Sequence, residues 1–409
     1  MKLSLFILIF ATTAAAQTPR IQYSHTTETL RGVSAVSRQV AWASGTHGTY
    51  LRTTDSGLTW IPAQVPDATS LDFRAVVAFS ADEAFLMSSG PGDQSRIYHT
   101  TDGGKHWRLQ FTNTNPKGFF DSMVFWDAKH GVILGDPIAD ENGKLHFELL
   151  LTDDGQAWHP ILPAKLPEAL ESEGAFAASN TCIAILHSLP TEMHVSGADG
   201  KGTTSGRATS TTEKDGALAP EVPAHDPNIW FATGGKTARV FHSPDAGETW
   251  QVFNTPIIHG PASAGIFSIA FRDALHGVIA GGDYKRPNED GPNLAFTSDG
   301  GKTWTLSDLK PQAYFSAVAY DTEINAAAVK QAADQKSAEA QGKKVRIKPT
   351  APQRLFLIGQ DFVFDFRPPN DPRRLSGNKK LPLAFNGVSP YPEGGAVIVG
   401  SKGTIVSLP

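Results

Sequence analysis

The pattern Ser/Thr-x-Asp-x-Gly-x-x-Trp occurs four times in this chain: "TTDSGLTW" at 53–60, "TTDGGKHW" at 100–107, "SPDAGETW" at 243–250 and "TSDGGKTW" at 297–304. A fifth, degenerate copy, "LTDDGQAW" at 151–158, keeps Asp153 and Gly155 but has Leu151 where the others have Ser or Thr. The tryptophans Trp60, Trp107, Trp158, Trp250 and Trp304 are separated by 47, 51, 92 and 54 residues. A turn repeated at about 50 residues is the spacing of sheet blades set in a ring. The long third step then holds an insertion.

Each copy reads as a hairpin turn. The short side chains of Asp55, Asp102, Asp153, Asp245 and Asp299 can accept bonds from nearby backbone N–H groups and hold the turn closed. The glycine permits a positive φ, and the tryptophan opens the next strand and buries a large apolar surface. These are structural roles, not chemistry.

Runs rich in β-branched and aromatic residues, broken by Gly, Asp or Ser, precede each box in threes. "RGVSAVS", "VAWASG" and "TYLRTTD" precede the first, "FRAVVAFS", "EAFLMSSG" and "SRIYHTTD" the second, and "DSMVFWD", "HGVILGD" and "FELLLTDD" the third. Blade four reads as "AFAASNT", "NIWFATGG" and "TARVFHSPD", and blade five as "GIFSIAF", "HGVIAGGD" and "NLAFTSDGG". Blade six, without a box, has "YFSAVAYD", "RLFLIGQ" and "FVFDFR". Blade seven, "LAFNGVS", "AVIVGS" and "GTIVSLP", lacks a fourth strand, and "RIQYSH" at 20–25 is a spare one. The expected fold is therefore all-β: a seven-bladed propeller of four-stranded antiparallel blades, closed by the N-terminal strand, which removes the open edge. Two stretches fall outside the blade template. Residues 190–228 are rich in Gly, Ser and Thr, and residues 322–353 hold good helix formers with little apolar face. Both join the first and second strands of a blade, on the face that carries the boxes.

Residues 1–16 have the form of a signal peptide. Lys2 is the positive region, 3–10 the apolar core and Ala14, Ala15 and Ala16 a cleavage site before Gln17. The mature chain, 17–409, is expected as a single propeller, exported to the periplasm or beyond, monomeric and without a membrane span. A net charge of −5 with no basic block argues against nucleic acid. The lone Cys182, in the apolar run "TCIAIL", reads as an inert buried thiol. There is no phosphate loop followed by a helix and no HExxH or close His pair, so no cofactor or metal is called for.

In this topology the loops entering each innermost strand share a face with those joining second and third strands, opposite the boxes. Rim loops on a rigid scaffold often carry function. The candidate ligand-binding residues there are Arg31, Asp72, Arg74, Asp121, Asp136, Glu173, Asp283 and Tyr284. Taken singly, such charges also cap strands or pair across blades.

The boxes, with "RGVSAV", "SRIYHTTDGGKHW" and "SAGIFSIAF", make the chain resemble the BNR/Asp-box propellers of the photosystem II stability and assembly factor family and its exported bacterial relatives. The resemblance implies a non-catalytic module that binds a partner protein. The alternatives are a lectin-like glycan binder and a glycoside hydrolase. Asp-box propellers also include sialidases, for which Arg31, Arg74 and Arg272 could be offered with Tyr284, Glu173 and Asp136. The Phe/Tyr-Arg-Ile-Pro motif of that family is missing, and "PRIQ" at 19–22 does not replace it.

Overall fold

The computed structural model describes residues 19–186, 227–308, 313–322, 354–366, 373–374 and 384–409. The predicted leader and almost all of both predicted insertions lie outside these residues. Seven antiparallel sheets make the ring, with blades I to VII in chain order.

Blade I consists of Leu30–Ala35, Ala41–Gly45, Thr49–Thr53 and Ile61–Gln64, and blade II of Phe73–Ala78, Ala84–Ser88, Arg96–Thr100 and Arg108–Thr112. Blade III has Phe120–Phe125, the long hairpin Gly131–Ala139 and Leu145–Thr152, and His159–Pro160. Blade IV is Ile183–Ile185, Ile229–Ala232, Arg239–Ser243 and Gln251–Asn254. Blade V is Ala264–Phe271, Gly277–Asp283, Leu294–Thr297 and Thr305–Leu306, and the short strands Glu173–Gly174 and Gly234–Gly235 extend its inner edge. Blade VI is Phe315–Tyr320, Leu355–Gly359, Val363–Phe366 and Arg373–Arg374. Blade VII is Phe385–Pro390, Ala396–Gly400 and Ile405–Leu408, completed by Arg20–Gln22, whose Ile21 pairs with Val406.

The expected ring and its closure are therefore present. One strand differs. The inner strand of blade IV is Ile183–Ile185, not "AFAASNT" at 175–181. The latter has the alternating burial of a strand, with Ala175, Ala177 and Ser179 buried. It lies instead in the centre of the ring, as described below.

The core is seven apolar layers, one between each pair of neighbouring blades. Successive side chains of a strand point to opposite faces, so each blade feeds two layers. In blade VII, Val397 and Val399 pack toward blade I with Trp60 and Leu51, while Ala396 and Ile398 pack toward blade VI with Phe356 and Ile358. Both faces are buried, which is why the middle strands are almost continuously apolar.

The boxes fasten these layers. In blade I the Thr53 hydroxyl donates to Asp55 Oδ1 at 2.9 Å and accepts from the Gly57 amide at 3.0 Å, and the Thr59 amide donates to Asp55 Oδ1 at 2.9 Å. The same three bonds recur at Asp102, Asp245 and Asp299. In blade III the acceptor is Asp154, not Asp153. Asp154 takes the amides of Gln156 and Ala157, and Thr152 accepts from the Gly155 amide. This box is one residue shorter between Asp and Gly, so Thr152, rather than Leu151, fills the Ser/Thr position. Several of the turns are also bonded to the preceding blade. The Tyr50 hydroxyl donates to the Gly104 carbonyl at 2.7 Å, the Trp230 indole to the Gly300 carbonyl at 2.9 Å, and the Trp158 indole to Gln110 at 3.0 Å.

Candidate functional site: a plugged channel and its rim

Six of the seven inner strands carry a β-bulge at the same place. The register shifts between Leu30 and Gly32, Phe73 and Ala75, Phe120 and Ser122, Ile266 and Ser268, Phe315 and Ala317, and Phe385 and Gly387. The extra residue of a bulge is left unpaired and its side chain is re-aimed. The bulged residues are Arg31, Arg74, Asp121, Phe267, Ser316 and Asn386. The residue that follows each is small because adjacent inner strands approach closely there. A Cβ on Gly32 would lie 3.0 Å from the Arg74 carbonyl, and one on Gly387 would lie 2.7 Å from the Arg31 carbonyl.

Two of these residues form an ionic cluster. Arg74 Nε donates to Asp72 Oδ2 at 2.9 Å, and Arg31 Nη2 lies 3.4 Å from the same oxygen. Two guanidiniums thus share one carboxylate, at roughly a quarter exposure for each side chain. Arg31 Nε is buried without a hydrogen-bond partner.

The centre of the ring is filled by residues 175–181. Arg74 Nη1, in blade II, donates to the Ala177 carbonyl at 3.1 Å. Asn180 brackets Met123 of blade III, accepting from its amide at 2.6 Å and donating to its carbonyl at 2.9 Å. Phe176 stacks on Phe267 of blade V with centroids 3.9 Å apart. The Ser179 hydroxyl donates to the Ser316 carbonyl of blade VI at 2.8 Å, and Thr181 donates to Ser268 at 2.7 Å. A segment that touches the inner strands of four other blades can only lie in the channel they enclose. It occupies the centre of that channel.

Two carboxyls hold the plug from blade III. Asp136 Oδ1 accepts from the Ala175 amide at 3.1 Å, and Asp121 accepts from the Ala177 amide. Burial pushes Asp136 up to about 6, against the pull of that amide. Asp121 is 1% exposed, and its Oδ2 has no partner. Burial, and next the charge of Asp136, raise it well above the usual carboxylate range, with Arg74 opposing. Burial raises Glu148 as well, against a 2.7 Å bond from Asn113.

The remaining candidates stand apart. Glu173 is 5% exposed and accepts from Arg239 Nε (2.9 Å) and Nη2, the Thr233 hydroxyl (2.7 Å) and the Leu170 amide (2.9 Å). With four internal donors it anchors the base of the plug. Asp283 orders its own loop, accepting from the Lys285 amide and Arg286 Nε. Tyr284 is 49% exposed and meets Phe267 edge-on, and the half-buried Tyr314 meets the same ring. The sialidase-like set is not assembled. Arg272 follows Phe271, at the far end of an eight-residue strand from Ala264, which pairs with Asp283. That separation is about 25 Å, and it places Arg272 on the box face. Cys182 is buried and its thiol is pushed far up by burial, which suits an inert group.

The sequence reading found Arg31, Arg74 and Asp121 and missed Phe267, Ser316 and Asn386. Aligning the inner strands on their small residue would have supplied all six. Among the described residues no group of His, Cys, Asp and Glu could hold a metal ion, and no helix is long and apolar enough to cross a membrane.

Fold, boxes and bulged rim define a seven-bladed BNR/Asp-box propeller. Within that class the chain resembles the photosystem II assembly factors: the family model described as "Photosynthesis system II assembly factor YCF48" matches residues 12–118. A structure of YCF48 bound to D1 peptide aligns at 15% identity over 96% of this chain and 97% of that one, with a TM-score of 0.57. A catalytically inactive virginiamycin B lyase from Staphylococcus aureus with quinupristin aligns at 11% identity over 96% and 98%, with a TM-score of 0.54. The WD40 propeller domain of Doa1 aligns at 10% identity over 95% and 97%, with a TM-score of 0.50. At these identities the structural likeness is one of fold. Comparison with curated proteins gives no match.

Proposed function

We propose that this protein is an exported, non-catalytic binding propeller that receives a carboxylate-bearing segment of an envelope partner protein on the rim around Arg31 and Arg74. One observation carries the reading. Two guanidiniums share the single carboxylate of Asp72, and each side chain is about a quarter exposed. The pair carries more positive charge than one carboxylate neutralises, which suits capture of a second carboxylate. The plug supports a surface mode of binding, because it occupies the channel that a segment would have to thread. The assembly-factor resemblance over residues 12–118 supports a protein partner, and the apolar leader supports export.

A peptide array displaying free C-terminal carboxylates beside their amidated counterparts tests the proposal. Binding that needs the free carboxylate and is lost in Arg31→Gln supports it. Equal binding to both forms, or retention of glycans in place of peptides, overturns it. Export is tested by cell fractionation, in which the mature chain is expected to begin near Gln17.

A further inference from the structure

The first half of the plug is held by main-chain bonds to ionisable groups. The Ala175 amide is on Asp136, the Ala177 amide is on Asp121, and the Ala177 carbonyl is on Arg74. The charged and titratable groups around Asp121 are Asp136 and Glu148 from blade III, Arg74 from blade II, and the thiol of Cys182. Of these only Arg74 is a cation, and it is already engaged by Asp72. Asp121 Oδ2 is enclosed without a donor, and the pairing of Phe120 with Gly135 sets Asp121 and Asp136 on adjacent strands, so an ionised Asp121 would place an unsolvated charge within reach of Asp136.

We propose that residues 175–181 form a proton-controlled latch: the plug is seated while Asp121 and Asp136 hold at least one proton between them, and it loosens when both are ionised. The proton is lost to solvent, and repulsion between the two carboxylates is relieved by withdrawing the chain that buries them. Arg74 then loses the Ala177 carbonyl that fixes its guanidinium, so the latch would regulate the rim. That last consequence rests on the carboxylate-binding reading given above. The raised titration of both carboxyls by burial agrees with the geometry.

The test is hydrogen–deuterium exchange of the full chain, followed in peptides covering 170–182 and corrected for intrinsic exchange. Protection of the plug is expected to fall about tenfold between roughly pH 5.5 and pH 8. The fall should be clearly smaller in Asp136→Asn, which keeps the acceptor for Ala175 but not the charge. Constant wild-type protection, or an unchanged pH response in a folded Asp136→Asn, overturns the latch. Should that variant not fold, the wild-type profile alone decides. Binding of a free-carboxylate peptide, measured on the same samples, separates the two proposals. A pH-dependent plug with no peptide binding sinks the rim reading and leaves the latch standing.

Discussion

The indole Nε1 of Trp60 donates to Oε1 of Gln22 at 2.8 Å, and Gln22 Nε2 donates to the Ser56 carbonyl at 3.1 Å. This side chain joins the N-terminal strand of blade VII to the first box of blade I, and so locks the ring shut. Gln22→Ala leaves a buried indole N–H and a carbonyl unpaired, and is expected to cost about 1–3 kcal/mol. Denaturant unfolding measures this, and an unchanged midpoint would show that the strand closes the ring without the amide.

The boxes contribute acid sensitivity. The His106 amide, followed by the His106 side chain, holds Asp102 at about 2. Bonds from Thr303 and Thr297 hold Asp299 at about 2 against the opposing effect of burial. A lowered folded pKa gives stability that is present above the unfolded value near 4 and is lost as pH falls toward 2. Asp102→Asn is therefore expected to lower the melting midpoint at pH 7, with the difference shrinking to nothing by about pH 2.

The plug carboxyls act in the opposite sense. Asp136 is raised to about 6, so its contribution is intact below about pH 4 and is lost as pH rises through 6. Asp136→Asn should match wild type near pH 4 and exceed it at pH 8 by at most about 3 kcal/mol. A variant less stable than wild type at pH 8 would mean that the charged form is the better acceptor for Ala175.

In blade III the two adjacent aspartates separate cleanly. Asp154→Ala removes the acceptor for the Gln156 and Ala157 amides and should lower the melting temperature. The exposed Asp153→Ala should leave stability within about 0.5 kcal/mol of wild type. The reverse order would restore the sequence-based assignment.

Glu173→Gln breaks a buried ion pair with Arg239 and leaves that guanidinium enclosed, at a cost of about 3–5 kcal/mol. Calorimetry checks the stability, and a glycoside assay on the soluble fraction checks the enzyme alternative. Loss of hydrolysis without loss of stability would return Glu173 to a catalytic role.

The ring was legible because its signal is local: a five-residue-long turn chemistry followed by a tryptophan repeats in register with three apolar runs. What escaped was set by longer-range contacts. Counting from Trp158 backwards hides the missing residue between Asp154 and Gly155. Residues 175–181 alternate in burial as a strand does, yet their partners come from four blades instead of one ladder. Arg239 meets Glu173 across 66 positions of sequence, and no periodicity points to that pairing. Arg31, Arg74 and Asp121 were found as polar residues opening inner strands. Their shared origin in the bulges became visible only with the register.

The bulges divide the chain into two independently variable texts. One extra residue in six of the seven inner strands sits outside the pairing that holds the blade, while the small residue after it keeps the close approach of neighbouring strands. Arginine, aspartate, phenylalanine, serine and asparagine all occupy that slot in this one molecule. A lineage can therefore rewrite the chemistry of the mouth one blade at a time while the turns that bolt the blades together stay as they are. Relatives of one architecture would then diverge in what they hold long before they diverge in how they stand.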